Sequence, residues 1–192
     1  FNTDRQWFGE RREGAKQYIE KLHQNSIKVM VKPQIWIWDG KFTGNMEMAS
    51  EEEWQKLEAS YEDFILLYAE MAEETRSDIF CIGTELKTFV MERPDFWNQL
   101  IVKVRDVYNG KITYASNWDE YDDTPFWAEL DYIGVNAYFP LCEKQNPTIE
   151  TLTLGWQPWK TKMRELARKE GRPILFTEFG YRSMDFTGKK PW

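Results

Sequence analysis

The chain has 192 residues, 42% of them hydrophobic, with a formal net charge of −7 and a pI near 5.0. That length fits one domain with a sizeable core, and the acidic balance excludes the basic stripe by which nucleic-acid-binding surfaces are recognised. No apolar run approaches the roughly 20 residues that span a bilayer, so neither nucleic acid nor membrane is expected as a partner.

Phe1-Asn2-Thr3-Asp4-Arg5 carries neither an initiator Met nor a signal-peptide pattern, so the chain is expected to be cut from something longer and its compartment is not readable. Apolar residues at helical spacing over residues 10–25 predict a helix, stopped by Asn25-Ser26, and a strand over 27–31 follows. His23, the sole histidine, is expected on the surface of that helix. Ser50 with Glu53 three residues later reads as a capping box. Trp54, Leu57, Tyr61, Phe64, Ile65, Tyr68 and Ala69 then continue at three- and four-residue steps and predict an amphipathic helix to about Arg76.

That helix delivers the chain to an apolar run that ends in Thr84-Glu85. A helix around 94–105 leads through Asn109-Gly110 into a strand over 111–118, and a short helix near 125–130 precedes a strand over 132–138. A helix over 156–169, ending at Gly171, hands the chain to Pro173, which opens a strand ending in Thr177-Glu178. Five apolar strands alternating with helices predict a parallel sheet with crossover helices, buried on both faces. A dinucleotide-binding open sheet wants a Gly-rich turn, and no G-x-G-x-x-G or P-loop is present. A barrel is therefore favoured.

One histidine and two cysteines leave no strand-end base for a Ser-His-Asp or Cys-His mechanism and no zinc site. No metal and no cofactor is expected, and any catalysis must run on carboxylates. Cys81, inside an apolar strand, and Cys142 are expected to be free thiols.

Barrel enzymes place their chemistry at the C-terminal ends of the strands. Here those ends offer Lys32, Gln34, Trp36, Trp38 and Asp39, then Glu85, then Asn117 and Trp118, then Asn136 and Tyr138, then Glu178 and Tyr181. Amides bridge vicinal hydroxyls, aromatic faces stack on sugar rings, and paired carboxylates are what glycoside hydrolysis requires. Each position alone has a plainer reading: a glutamate after an apolar run as a solvated strand end, Trp36 as barrel filling, Asn136 as a loop cap. The coincidence at five strand ends, in a chain with 10 Trp, 9 Tyr and 12 Phe, points instead to a carbohydrate cleft.

Five runs then carry a resemblance. Val29-Met30-Val31-Lys32-Pro33, Ile82-Gly83-Thr84-Glu85-Leu86 and Thr113-Tyr114-Ala115-Ser116-Asn117-Trp118 are followed by the run from Leu130 to Leu141, which contains Gly134-Val135-Asn136-Ala137-Tyr138, and by Phe176-Thr177-Glu178-Phe179-Gly180-Tyr181. In this order they resemble glycoside hydrolase family 113, (β/α)8-barrel β-mannanases of the larger clan of retaining glycosidases. The resemblance implies an α/β (β/α)8 TIM barrel, incomplete here. Residues 1–192 would form one partial domain covering approximately strands three to seven, with strands one, two and eight outside the chain.

It also implies roles. Glu85 would be the general acid/base at the fourth strand and Glu178 the nucleophile at the seventh, with Tyr138 hydrogen-bonded to Glu178. Lys32, Trp36, Trp38, Asn117, Trp118, Asn136, Tyr138 and Tyr181 would bind an oligo- or polysaccharide, β-1,4-mannan first. The chain departs from the family pattern at Gln34, where a histidine is usual, and at Phe42-Thr43-Gly44, where Trp-Arg-Gly is usual. Three other readings remain open: a glycosidase for another β-linked glycan, a non-catalytic carbohydrate-binding barrel, and a structural α/β domain whose aromatics are all core.

Overall fold

The computed structural model describes residues 11–37 and 40–191. Two compact units divide the chain, Phe1–Thr113 and Tyr114–Trp192, with the division falling inside a strand.

In the first unit, α1 (Arg12–Gln24) leads to a short strand, β1 (Met30–Val31), and a 3-10 turn at Thr43–Asn45 precedes α2 (Glu51–Glu74). Strand β2 (Ile79–Thr84) follows, then α3 (Lys87–Glu92) and α4 (Pro94–Val107). β1 and β2 pair in parallel, Met30 opposite Ile79 and Val31 opposite Phe80. His23 lies on α1, part-exposed, as expected, with Nε2 3.7 Å from Asp78 Oδ2.

The capping box at the start of α2 forms with one change. Glu53 N donates to Ser50 Oγ at 3.3 Å, but the Glu53 carboxylate reaches one residue further back and accepts from Ala49 N at 2.8 Å. Periodicity does not predict α3. It is separate from α4 because Pro94 disfavours helical backbone at Arg93, whose φ of −129° ends one helix while Pro94 begins the next.

The core of this unit is aromatic. Tyr61 of α2, Phe89 of α3 and Trp97 of α4 are buried and mutually in contact, with ring centroids 5.3 to 5.6 Å apart. Edge-on and tilted geometries of this kind add to what burial alone contributes. Two polar handles are satisfied inside it: Tyr61 Oη donates to Ile82 O at 2.9 Å, and Trp97 Nε1 donates to Phe89 O at 3.2 Å. Burial pushes the Tyr61 phenol well above its usual range, so it remains a proton donor.

In the second unit, β3 (Lys111–Asn117) pairs in parallel with β4 (Ile133–Asn136), and β4 pairs in parallel with β5 (Ile174–Glu178). The helix anticipated near 125–130 is a single 3-10 turn, Trp127–Glu129. Its Trp127 is buried and donates from Nε1 to Tyr121 O at 2.7 Å.

Helix α5 (Ile149–Glu170) starts seven residues before the expected Trp156. Thr148 caps the true start, accepting from Thr151 N at 3.2 Å, and Pro158 sits inside the helix. Gly171 closes α5 as expected, in the left-handed region at φ 65°, which glycine occupies without steric cost.

Neither cysteine is in a disulfide, Cys81 being buried and Cys142 half-buried. β5 departs from the expected burial on both faces. Among the described residues it pairs with β4 alone, and its Phe176 is 41% exposed.

Replacing Tyr61 with Phe removes the donor to Ile82 O from a buried position. The substitution is expected to lower the unfolding free energy by about 1–3 kcal/mol, the penalty for an unsatisfied buried acceptor. Chemical denaturation of the full-length protein measures it, and an unchanged midpoint would show that the bond contributes nothing.

Candidate functional site

Both Thr-Glu endings sit at strand ends, and both coincide with a backbone irregularity. In the first unit, Glu85 follows the last residue of β2 and adopts φ 51°, the left-handed region that non-glycine residues seldom occupy. Such conformations are sustained only where surrounding structure imposes them, and they cluster at functional positions. The surroundings here are specific. Thr43 Oγ1 donates to Glu85 O at 3.4 Å, and Thr88 Oγ1 in α3 donates to Gly44 O at 2.8 Å, so the 3-10 turn is fastened to the segment that carries Glu85. These contacts involve Thr43 and Gly44 of the Phe42-Thr43-Gly44 segment.

Lys32 lies just beyond β1 and is half-buried, and Trp36 is 80% exposed, its indole turned to solvent. Trp38 and Asp39 lie outside the described residues.

In the second unit, Glu178 ends β5 and is half-buried. The hydrogen bond expected from Tyr138 is present, Oη donating to Glu178 Oε2 at 2.8 Å. A phenol donating to a carboxylate gives a charge-assisted bond, stronger than one between neutral groups, and it fixes the carboxylate plane. Backbone contacts fasten the same place: Ala137 N donates to Glu178 O at 2.8 Å, and Tyr138 N to Asn136 O at 3.0 Å.

Asn136 is 1% exposed, and its Oδ1 accepts from Thr177 Oγ1 at 2.8 Å. Asn117 and Trp118 lie at the end of β3. Asn117 N donates to Glu120 Oε1 at 3.0 Å, and Asn117 Oδ1 accepts from Trp118 N at 2.9 Å, which orients the amide. The Trp118 ring meets Trp159 of α5 edge-on, centroids 5.7 Å apart at 87°. Tyr181 donates from Oη to Phe139 O at 2.8 Å, and burial pushes its phenol up to about 12, so it stays protonated through the neutral range.

The second unit therefore brings Tyr138, Glu178, Asn136 and Thr177 into one hydrogen-bonded group, with Trp118 and Tyr181 on the aromatic packing beside it. The two threonines differ. Thr177 has a buried partner, whereas Thr84 Oγ1, also buried, has none among the described residues. Trp159, at helical spacing with Trp156 and Met163, stacks on Phe139 at 4.7 Å and donates from Nε1 to Pro140 O at 3.0 Å. Thr177 is visible in the sequence only as half of the repeated Thr-Glu ending. Among the described residues no group of three or more His, Cys, Asp or Glu is arranged to hold a metal ion, and no helix is long and apolar enough to cross a membrane.

Comparison with known proteins gives this arrangement a family. The family model of Glycoside Hydrolase Family 113 matches residues 10–192. The chain belongs to Glycoside Hydrolase Family 113.

Among solved structures, this family 113 chain is similar to the GH113 β-mannanase from Alicyclobacillus acidocaldarius, which was determined in complex with ManMIm. The two share 28% identity at a TM-score of 0.82, over 94% of this chain and 55% of that one. Two further structures of GH113 β-1,4-mannanase, one of them a complex, match at 24% identity with TM-scores of 0.77 and 0.76. They cover 90% and 89% of this chain and 53% of each of theirs, and at that identity they speak to the fold. No curated protein sequence matches. The fold is that of an incomplete (β/α)8 barrel, and the chain spans about half the length of the solved structures it matches.

One glycine positions the loop of this family 113 chain that carries Tyr138. A side chain at Gly155 would place its Cβ 2.1 Å from Leu141 O, backbone that cannot give way cheaply. Gly155→Ala is expected to destabilise the protein despite alanine's better helix propensity, with overpacking costing about 1–3 kcal/mol against a gain of about 1 kcal/mol. A denaturation midpoint at or above that of the wild type would show that the loop moves aside freely.

Proposed function

We propose that the chain carries the catalytic carboxylates of a retaining glycoside hydrolase acting on β-1,4-linked mannan or manno-oligosaccharides. Family membership supports the reaction class, and likeness to the Alicyclobacillus β-mannanase supports the mannan preference. The observation that carries the reading in this chain is the Tyr138 hydrogen bond to Glu178 at the end of β5, at 2.8 Å.

In this reading Glu85 protonates the glycosidic oxygen as the bond to the anomeric carbon breaks, and a Glu178 oxygen bonds that carbon to form a glycosyl ester. A water then attacks the same carbon, its proton passes to Glu85, and the ester bond to Glu178 breaks, so the sugar leaves with its starting configuration. The mechanism needs the two carboxyl groups about 5–5.5 Å apart. Tyr138 holds the Glu178 carboxylate plane, and its donated bond stabilises the carboxylate as it departs from the ester. Trp36, Trp38, Trp118 and Tyr181 offer ring faces to sugars, Lys32 and Asn117 offer polar groups, and the chemistry requires no cofactor; Asn136, expected from the sequence to touch sugar, is instead buried, its amide oxygen bonded to Thr177.

Azide separates the two carboxylate roles. In the full-length protein, with an activated aryl β-mannoside, Glu178→Ala is expected to abolish turnover and, given azide, to yield the α-mannosyl azide. Glu85→Ala is expected to slow mannan hydrolysis by about 10²–10⁴-fold and to yield the β-mannosyl azide. Wild-type rates in Glu178→Ala would sink the nucleophile assignment. Saccharide binding by a wild-type protein with no turnover would mark a binding module instead.

A further inference from the structure

The ladder between β4 and β5 skips one residue. Val135 pairs with Phe176, and the next pair is Asn136 with Glu178, so Thr177 has no ladder partner. Two residues opposite one is a β-bulge, which bends the strand and re-aims a side chain.

The consequence follows from strand alternation. In an unbroken strand Phe176 and Glu178, two positions apart, project from the same face. Phe176 faces α5, its ring stacked on Trp156 with centroids 6.0 Å apart at 24°. Regular pairing would send the Glu178 carboxylate toward α5 as well. With Thr177 skipped, Glu178 shares the face of Thr177 and Asn136 and meets Tyr138 instead. The aromatics beyond the bulge agree. Phe176 and Phe179, three positions apart, would lie on opposite faces of a regular strand, yet their rings are stacked 6.1 Å apart and 6° from parallel.

A bulge gives up regular pairing, and something must hold it. Here the skipped residue itself does so: Thr177 is 8% exposed, and its hydroxyl donates to the amide oxygen of Asn136, the residue opposite, at 2.8 Å. Both groups are buried, so the bond is poorly replaced by water. We propose that Thr177 and Asn136 are positioning residues for Glu178: their buried bond locks the β5 bulge, and the bulge turns the carboxylate to Tyr138 and the substrate. This rests on the reading of Glu178 as nucleophile.

The test uses the full-length enzyme with Thr177→Val, which keeps the shape and loses the hydroxyl, and Thr177→Ser, which keeps the hydroxyl. Misplacing a reacting group by about 1 Å costs on the order of 10²-fold. Thr177→Val is therefore expected to lower kcat by about 10–100-fold with little change in KM. Labelling of Glu178 by an activated fluoromannoside should slow in the same ratio, and Thr177→Ser should restore both rates to near wild type. A merely structural role would shift the melting temperature and leave kcat of the folded protein unchanged. Should Thr177→Val fail to fold, Thr177→Ala, which removes the hydroxyl without forcing a methyl against Asn136 Oδ1, carries the same expectation. Folded Thr177→Val or Thr177→Ala with wild-type kcat and labelling rate overturns the inference while Glu178→Ala stays inactive. An active Glu178→Ala overturns the nucleophile reading itself.

Discussion

Parallel pairing is the constraint from which the rest of this chain follows. A parallel neighbour cannot be reached by a tight turn, so the chain must cross from the end of one strand to the start of the next, and helices are the economical way to do it. In the first unit the crossing between β1 and β2 uses α2, and in the second the crossing between β4 and β5 uses α5. Each crossing brings its second strand back parallel to the first, so within each unit the residues that follow the strands are C-terminal strand ends, after β2 in the first and after β3, β4 and β5 in the second. Those positions hold Glu85, Trp118, Tyr138 and Glu178 or their immediate neighbours.

Regular strands are poor at aiming a side chain, because alternation offers only two directions. Both glutamates escape that limit locally, by different means. Glu85 takes a left-handed backbone conformation immediately after β2, with Thr43 bonded to its carbonyl. Glu178 follows a residue dropped from the ladder, with that residue's hydroxyl bonded to Asn136. Irregular backbone is tolerated where side chains supply the missing hydrogen bonds, and threonine suits that task because its branched, stiff side chain holds a hydroxyl in few orientations.

The packing behind these ends is aromatic in both units, which serves the same purpose. Tyr61, Phe89 and Trp97 fill the first unit and anchor β2 through the bond from Tyr61 to Ile82. Trp118, Trp159, Phe139, Trp156 and Phe176 form a continuous chain of ring contacts in the second. Rigid rings with one polar handle fix backbone carbonyls near the strand ends, as Trp159 does for Pro140 and Tyr181 for Phe139.

The sequence by itself determined the alternation of strands and helices, the repeated Thr-Glu endings, the capping of α2 and the closing glycine of α5, and its family resemblance carried the pairing of Tyr138 with Glu178. These are local patterns, or short motifs in a fixed order along the chain. Only the tertiary structure decided that α5 begins at Ile149, because Gly155 marks a close approach to the Leu141 carbonyl and Pro158 lies inside the helix. It alone revealed α3 and reduced the helix near residue 127 to a single turn. The bulge at Thr177 was equally out of reach, since a skipped ladder partner leaves no mark on hydrophobic periodicity. It depends on which residue of β4 lies opposite, and that is a fact about two strands a helix apart in sequence.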